Sequence, residues 1–413
     1  MTVRILVGDC VEHMPQLDAA SIDSVVTDPP YGLKFMGKDW DHGIPGVPFW
    51  TEALRVLKPG GHLLAFGGTR TYHRLAVAIE DAGFEIRDCL MWLYGSGFPK
   101  SHDVSKAIDK AAGAEREIVR VRTDGNKGGG ARTYDDDAYQ WDKPFAETEP
   151  ATDLAKQWDG WGTALKPAWE PIILARKPLA GTVAANVEQH GTGAINVDGC
   201  RIGTDTVTIN AFDDGAKPFG DGAGHPYTSR KSTGRWPANV ILDADAAAML
   251  DAQSGERTSG AMRSEVAGYP GESVTGFVRG VSGPHNQHGD TGGASRFFYT
   301  AKASSAERNQ GLAGMQAEYT ERDNGFSAKI SNTNRPRANH HPTVKPLDLM
   351  QWLCRLVTPP GGLVLDPFMG SGSTLIAADR EGFNAIGMEL DPEYAEIARR
   401  RLYADCPLFV EVA

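Results

Sequence analysis

The chain lacks any long hydrophobic run. Its apolar stretches, such as 362–365 and 171–175, fall far short of the roughly eighteen residues a membrane span needs. No membrane partner is expected. Residues 1–9 read as a short strand entering a turn, without the apolar core and small-residue cleavage site of a signal peptide, so a cytoplasmic setting is expected. Cysteine is scarce: Cys10, Cys89, Cys200, Cys354 and Cys406 are scattered, and no CxxC pair points to zinc or redox chemistry. These are read as reduced thiols, Cys200 and His190 as ordinary residues, and no metal is expected. Positive charge is also in deficit. Lys and Arg number 42 against 53 Asp and Glu, a net charge of -11, which weighs against a partner bound through phosphates. The distribution softens that objection, because residues 301–345 carry 7 basic against 4 acidic side chains, Arg335 and Arg337 among them.

What is present is an α/β pattern at both ends of 413 residues. Residues 1–94 alternate apolar β-type runs at 3–7, 22–27, 62–66 and 86–94 with helical spacing over 49–57 and 71–82. Lys58-Pro59-Gly60-Gly61 and Gly83 punctuate them. From 341 the logic repeats: a helix over 347–357, a strand over 363–365, a Gly-rich turn, a helix, a strand near 385–388 and a final helix over 392–403. The middle is polar and loop-like, with apolar islands at 171–175, 238–242 and 297–300. It reads as an insertion between two halves of one domain.

Three motifs carry chemistry. Asp28-Pro29-Pro30-Tyr31 follows an apolar strand directly, where open α/β sheets hold their sites. An exocyclic amino group on a nucleobase is a poor nucleophile, since its lone pair is delocalised into the ring. One carboxylate (Asp28) and one rigid carbonyl (Pro29) can bind both N–H bonds and face the developing positive charge. Tyr31 offers a flat face to an unstacked base, although the same tetrad is also good turn chemistry. The second motif runs from Asp366 through Phe368, Gly370 and Gly372 to Thr374, after a strand and opening a helix. The third glycine of a dinucleotide fingerprint and the lysine of a phosphate loop are both missing, so the turn suits a nucleoside cofactor without a pyrophosphate. The third is Glu389, at the end of the next strand and placed to grip ribose hydroxyls, with Asp391 ahead of Pro392 as a helix cap.

In this order the motifs resemble the beta group of amino-DNA methyltransferases, the N6-adenine and N4-cytosine enzymes, over residues 3–94 and 338–404. The order is specific, because Asp366 follows Tyr31 by 335 residues whereas most methyltransferases put the cofactor loop first. The resemblance implies a circularly permuted, Rossmann-like α/β sheet with long loop-rich insertions, S-adenosylmethionine as cofactor and DNA as partner, a homodimer being allowed. It implies that Asp28, Pro29, Pro30 and Tyr31 bind the target base and that Asp366, Phe368, Gly370, Gly372 and Thr374 line the cofactor pocket. Glu389 would hold the ribose, Asp9 the cofactor's adenine, and Thr343 and Lys345 its methionine end. His340 and His341 are read as ordinary residues, and Trp92 and Tyr94 as either core or base-facing. Asp in place of Ser at position 28 favours adenine over cytosine. The implied division is a catalytic half at 1–99, an insertion at 100–165, a sheet-completing strand at 166–177, a target-recognition insertion at 178–338 and a cofactor half at 339–413.

Overall fold

The computed structural model describes residues 2–33, 43–97, 99, 101–122, 145–212, 227–258, 290–301, 305–313, 315, 339, 341, 344–405 and 410–412. The first part of the chain supplies β1 (Val3–Val7), β2 (Ile22–Thr27), β3 (Leu57–Phe66) and β4 (Glu85–Leu93). The middle supplies β7 (Trp169–Arg176), β10 (Val240–Asp243) and β13 (Tyr299–Ala301), and the last part β14 (Leu363–Asp366), β15 (Asn384–Glu389) and β16 (Val410–Val412). These ten form one sheet in the order β13-β10-β4-β7-β3-β2-β14-β15-β1-β16. Three antiparallel pairs stand apart from it: β5 (Ile118–Arg122) with β6 (Phe145–Thr148), β8 (Ile202–Phe212) with β9 (Tyr227–Arg235), and β11 (Arg257–Thr258) with β12 (Thr291–Gly292).

Every pairing in the main sheet is parallel except those of β7, which runs antiparallel to both β3 and β4. A parallel sheet must be covered on both faces, and the central strands are apolar on both. On β3, Leu64 and Phe66 join one core and Leu63 and Ala65 the other; on β7, Ile172 and Leu174 part in the same way from Ile173 and Ala175. The helices Val47–Val56 and Tyr72–Asp81 cover the second face through Phe49, Trp50, Ala53, Leu75 and Ile79. The helices Leu347–Val357, Ser373–Arg380 and Pro392–Asp405 cover the first. This is the doubly wound arrangement expected.

The sequence pattern misplaces two things. The islands at 238–242 and 297–300 are not loop structure: β10 and β13 extend the sheet beyond β4, so 178–338 is not a pure insertion. At four and three residues they are too short for periodicity to reveal pairing. The segment 166–177, as β7, pairs antiparallel with β4 and joins it to β3. And Lys58-Pro59-Gly60-Gly61 does not end a helix before a separate strand but bulges within β3, where Ile22 pairs with Leu57 and Ser24 already with His62.

Buried Asp23 ties three strands at the end opposite the site. Its carboxylate accepts Lys58 Nζ at 2.6 Å and the Leu363 backbone N–H at 2.8 Å, joining β2 to β3 and β14. Asp23→Ala leaves that N–H without its acceptor and should cost about 1–3 kcal/mol. The expected readout is a lower urea midpoint at an unchanged m-value.

Candidate functional site

Because β2 pairs with β14 through Ser24↔Val364 and Val25↔Leu365, the turns after both strands emerge side by side. β15 and β1 continue the row, with Val7 opposite Glu389. A cavity of about 220 Å³ opens along these carboxyl ends. Of the residues expected there, Asp9, Asp28, Pro30, Lys345, Asp366, Phe368, Gly370, Thr374 and Glu389 line it. Pro29, Tyr31 and Gly372 are not part of its lining, and Thr343, with His340, lies outside the described residues.

Glu389 is held by backbone alone. Its Oε2 accepts the Gly370 N–H and its Oε1 the Asp391 N–H, both at 2.9 Å, leaving lone pairs toward the cavity. Burial raises its acid to about 7 against the pull of those two donors. Asp366 lines the cavity with its carboxylate engaged within the fold. Its carboxylate accepts the Thr27 hydroxyl at 2.7 Å, the Phe368 N–H at 3.1 Å and the Thr374 hydroxyl, so it pins the turn to β2 more than it offers itself to a ligand. Burial pushes it up to about 6. Asp9 likewise accepts the Val11 N–H at 2.9 Å and caps the short helix Cys10–His13 while edging the cavity. Asp391 accepts the Glu393 N–H at 2.8 Å and caps the last helix as expected.

The two glycines differ. Gly370 faces the cavity, with φ +52° and His341 beside it, its imidazole edge-to-face with Tyr394 at 4.6 Å. Gly372, at φ +80°, points the other way: a Cβ there would stand 2.9 Å from the Cβ of Ala398. Its need for glycine comes from helix packing and a left-handed turn, not from a ligand's path as expected. Behind it, Arg401, buried in the last helix, donates to the Ser371 carbonyl at 2.5 Å and to the Ser371 and Ser373 hydroxyls, fixing the turn from below.

At the tetrad, Asp28 is held by two donors. Tyr31 Oη donates to Oδ1 at 2.7 Å and Lys345 Nζ to Oδ2 at 2.5 Å. A second carboxylate joins them: Glu170 Oε2 lies 3.2 Å from Tyr31 Oη and 3.6 Å from Lys345 Nζ. Burial raises both the Glu170 acid and, more strongly, the Tyr31 phenol. Burial alone would lower Lys345, but the two carboxylates outweigh it and keep the ammonium charged. Sequence reasoning gave Lys345 to the cofactor and passed over Glu170. The available signal was a lone carboxylate in the apolar run 169–175, which β7 delivers to the site because its reversed direction puts its first residues at the catalytic end.

The cavity therefore offers carboxylates for hydroxyls and a cation, the flat ring of Phe368 and the thioethers of Met350 and Met388. The lysine on its wall is already shared between carboxylates. This set fits an adenosyl sulfonium and does not fit a pyrophosphate. A family profile described as DNA methylase, of the N6/N4 type, matches residues 22–400. The chain belongs to this DNA methylase family. Among similar proteins, type II methyltransferase M2.DpnII of Streptococcus pneumoniae is 44% identical over 68 residues, 16% of this chain and 25% of that protein. Type II methyltransferase M.HindIII of Haemophilus influenzae is 26% identical over 235 residues, 46% of this chain and 63% of that one. The matched segments thus cover less than two thirds of either relative. The solved PvuII DNA methyltransferase (cytosine-N4-specific) aligns over 97% of this chain and 86% of its own at 14% identity and a TM-score of 0.43.

Two outcomes are expected for this site. Gly372→Val should lower stability by about 1–3 kcal/mol through overpacking against Ala398, seen in thermal or urea unfolding without ligand. If Glu389 grips hydroxyls as an anion, ligand affinity falls as pH drops through about 7. Titration calorimetry with S-adenosylmethionine at pH 8 and 6 should then show about a tenfold loss, absent in Glu389→Gln.

Proposed function

We propose that the chain transfers a methyl group from S-adenosylmethionine to an exocyclic amino group of a DNA base, adenine N6 in preference to cytosine N4. The observation that carries this is the position of Asp28, whose carboxylate borders the same cavity as Phe368, Gly370 and Glu389. An amino nitrogen hydrogen-bonded to Asp28 would face whatever that cavity holds. Phe368, packed at 4.9 Å on Phe49, gives an adenine ring a fixed wall, and Glu389 takes the ribose hydroxyls. When bound, the cofactor supplies an electrophilic methyl on its sulfonium.

The chain's own work is to make the amino nitrogen attack. Asp28 accepts one N–H and the Pro29 carbonyl the other, drawing the nitrogen toward tetrahedral geometry and stabilising the charge that grows on it. Inside a duplex the amino group is out of reach, so the base must leave the stack, its face then covered by an aromatic ring such as Tyr31. Displacement is direct. Cys10 is the cysteine at the cavity wall among the described residues, and burial pushes its thiol up to about 12, unsuited to the covalent attack that ring-carbon methylation uses.

Under this reading the sheet is a circular permutation of the usual methyltransferase order, with DNA and S-adenosylmethionine as partners in a cytoplasmic setting and a role in restriction-modification. Target choice goes to the 178–338 region. Its described part carries Arg201 over the exposed ring of Trp236 and Arg296 over that of Phe297. Arg335 and Arg337, expected to meet phosphates, lie outside the described residues.

Incubation with labelled S-adenosylmethionine and mixed-sequence duplex DNA, followed by nucleoside analysis, should give labelled N6-methyladenine. Labelled N4-methylcytosine would correct the base, and no labelled nucleoside would remove the reading. Asp28→Ala should keep the cofactor and lose turnover by about 10²–10³, the usual loss for one preorganised charge-stabilising group.

A further inference from the structure

The carboxylate assigned to the amino group is occupied in the free chain. Asp28 accepts Tyr31 Oη on one oxygen and the Lys345 ammonium on the other, at 2.7 and 2.5 Å. That ammonium takes the acceptor oxygen a neutral amino group would need, and its positive charge opposes the one that methyl transfer builds on the nitrogen. A site that kept it there would work against its own reaction.

A second seat lies beside the first. Glu170 Oε2 is 3.6 Å from Lys345 Nζ, so a shift on the order of 1 Å converts that approach into a charge-assisted hydrogen bond. The faces of Phe66, 4.8 Å away, and Tyr31, 5.6 Å away, flank the ammonium. We propose that Glu170 is a positioning residue for methyl transfer: Lys345 caps Asp28 while the base pocket is empty and passes to Glu170 when a target amino group arrives.

Several features support two seats for one cation. Asp28, Glu170 and Tyr31 all meet Lys345, with Tyr94 next beyond Glu170. One ammonium between two carboxylates leaves a single surplus negative charge, so the group on Asp28 can be exchanged without stranding either ion. Glu170 sits at the start of β7, opposite Trp92 on β4, on a rigid element and not on a loop. The inference rests on the methyl-transfer reading.

The test is a mutant cycle on the full chain with wild type, Glu170→Gln, Lys345→Met and the double variant. Single-turnover methylation of mixed-sequence duplex DNA and calorimetric S-adenosylmethionine affinity are measured for each. Glu170→Gln should slow transfer about tenfold or more with cofactor affinity within about twofold, since the ammonium then has Asp28 alone. Adding Lys345→Met should restore at least about threefold of that loss, a reversal that a merely structural Glu170 does not produce. Glu170→Asp, which keeps the charge, should fall between wild type and Glu170→Gln, and it serves in place of Glu170→Gln if that variant does not fold. A double variant no faster than Glu170→Gln overturns the proposal, as does a Glu170→Gln rate equal to wild type. So does a more than about tenfold loss of cofactor affinity in Lys345→Met, which would put the lysine on the cofactor. Wild type inactive on all DNA sinks both this and the methyl-transfer reading; active wild type without the reversal sinks only this inference.

Discussion

The site depends on the hydrogen-bonded contact between β2 and β14. Two short strands, far apart in sequence, meet in parallel at the centre of the sheet, with Ser24 opposite Val364 and Val25 opposite Leu365. Their registration decides everything beyond their ends. A slip of one residue would turn each strand's apolar set to the wrong face and separate the tetrad from the glycine turn. Two polar devices hold that register. At one end Asp23 takes the Leu363 N–H, and at the other Asp366 takes the Thr27 hydroxyl. The second device is itself part of the site, so strand pairing and cavity shape are specified by the same buried carboxylate.

The carboxylates divide their work according to what surrounds them. Asp366 is enclosed and spends its lone pairs on Thr27, Phe368 and Thr374, and so acts as architecture. Glu389 is fixed by two backbone donors and keeps a face free. Asp28 is held by a phenol and an ammonium, both carried on side chains. The same carboxylate chemistry thus serves as a structural tie in one place and keeps an open face on the cavity in another.

The two ends of the chain were legible in the sequence because each strand or helix there carries its own punctuation. The helix at 347–357 and the strand before Asp366 fall where periodicity puts them. The tetrad, the glycine turn and Glu389 announce themselves by residue type beside a strand end. What could not be read depends on distant partners. β10 and β13 gain strand identity by pairing with β4 and with each other, and nothing within so few residues says so. Glu170 and Lys345 meet only because a reversed strand delivers one of them. Gly372 looked like a ligand-facing glycine because Ala398, its true neighbour, is invisible until the last helix folds back.

The lone reversed strand also sorts the connecting segments by where they leave the sheet. β4 ends at the catalytic mouth and β7 begins there, so residues 94–168 depart and return on that side. β7 ends at the far rim, where β10 begins, so 177–239 links two points remote from Asp28. β13 again ends at the mouth, and residues 302–346 lead from it to the helix behind the cavity. A further link, 244–298, leaves from the mouth after β10 and comes back to the far rim where β13 begins, so of these four links those after β4 and β13 have both roots beside the cavity. The 177–239 link has both its roots on the opposite rim.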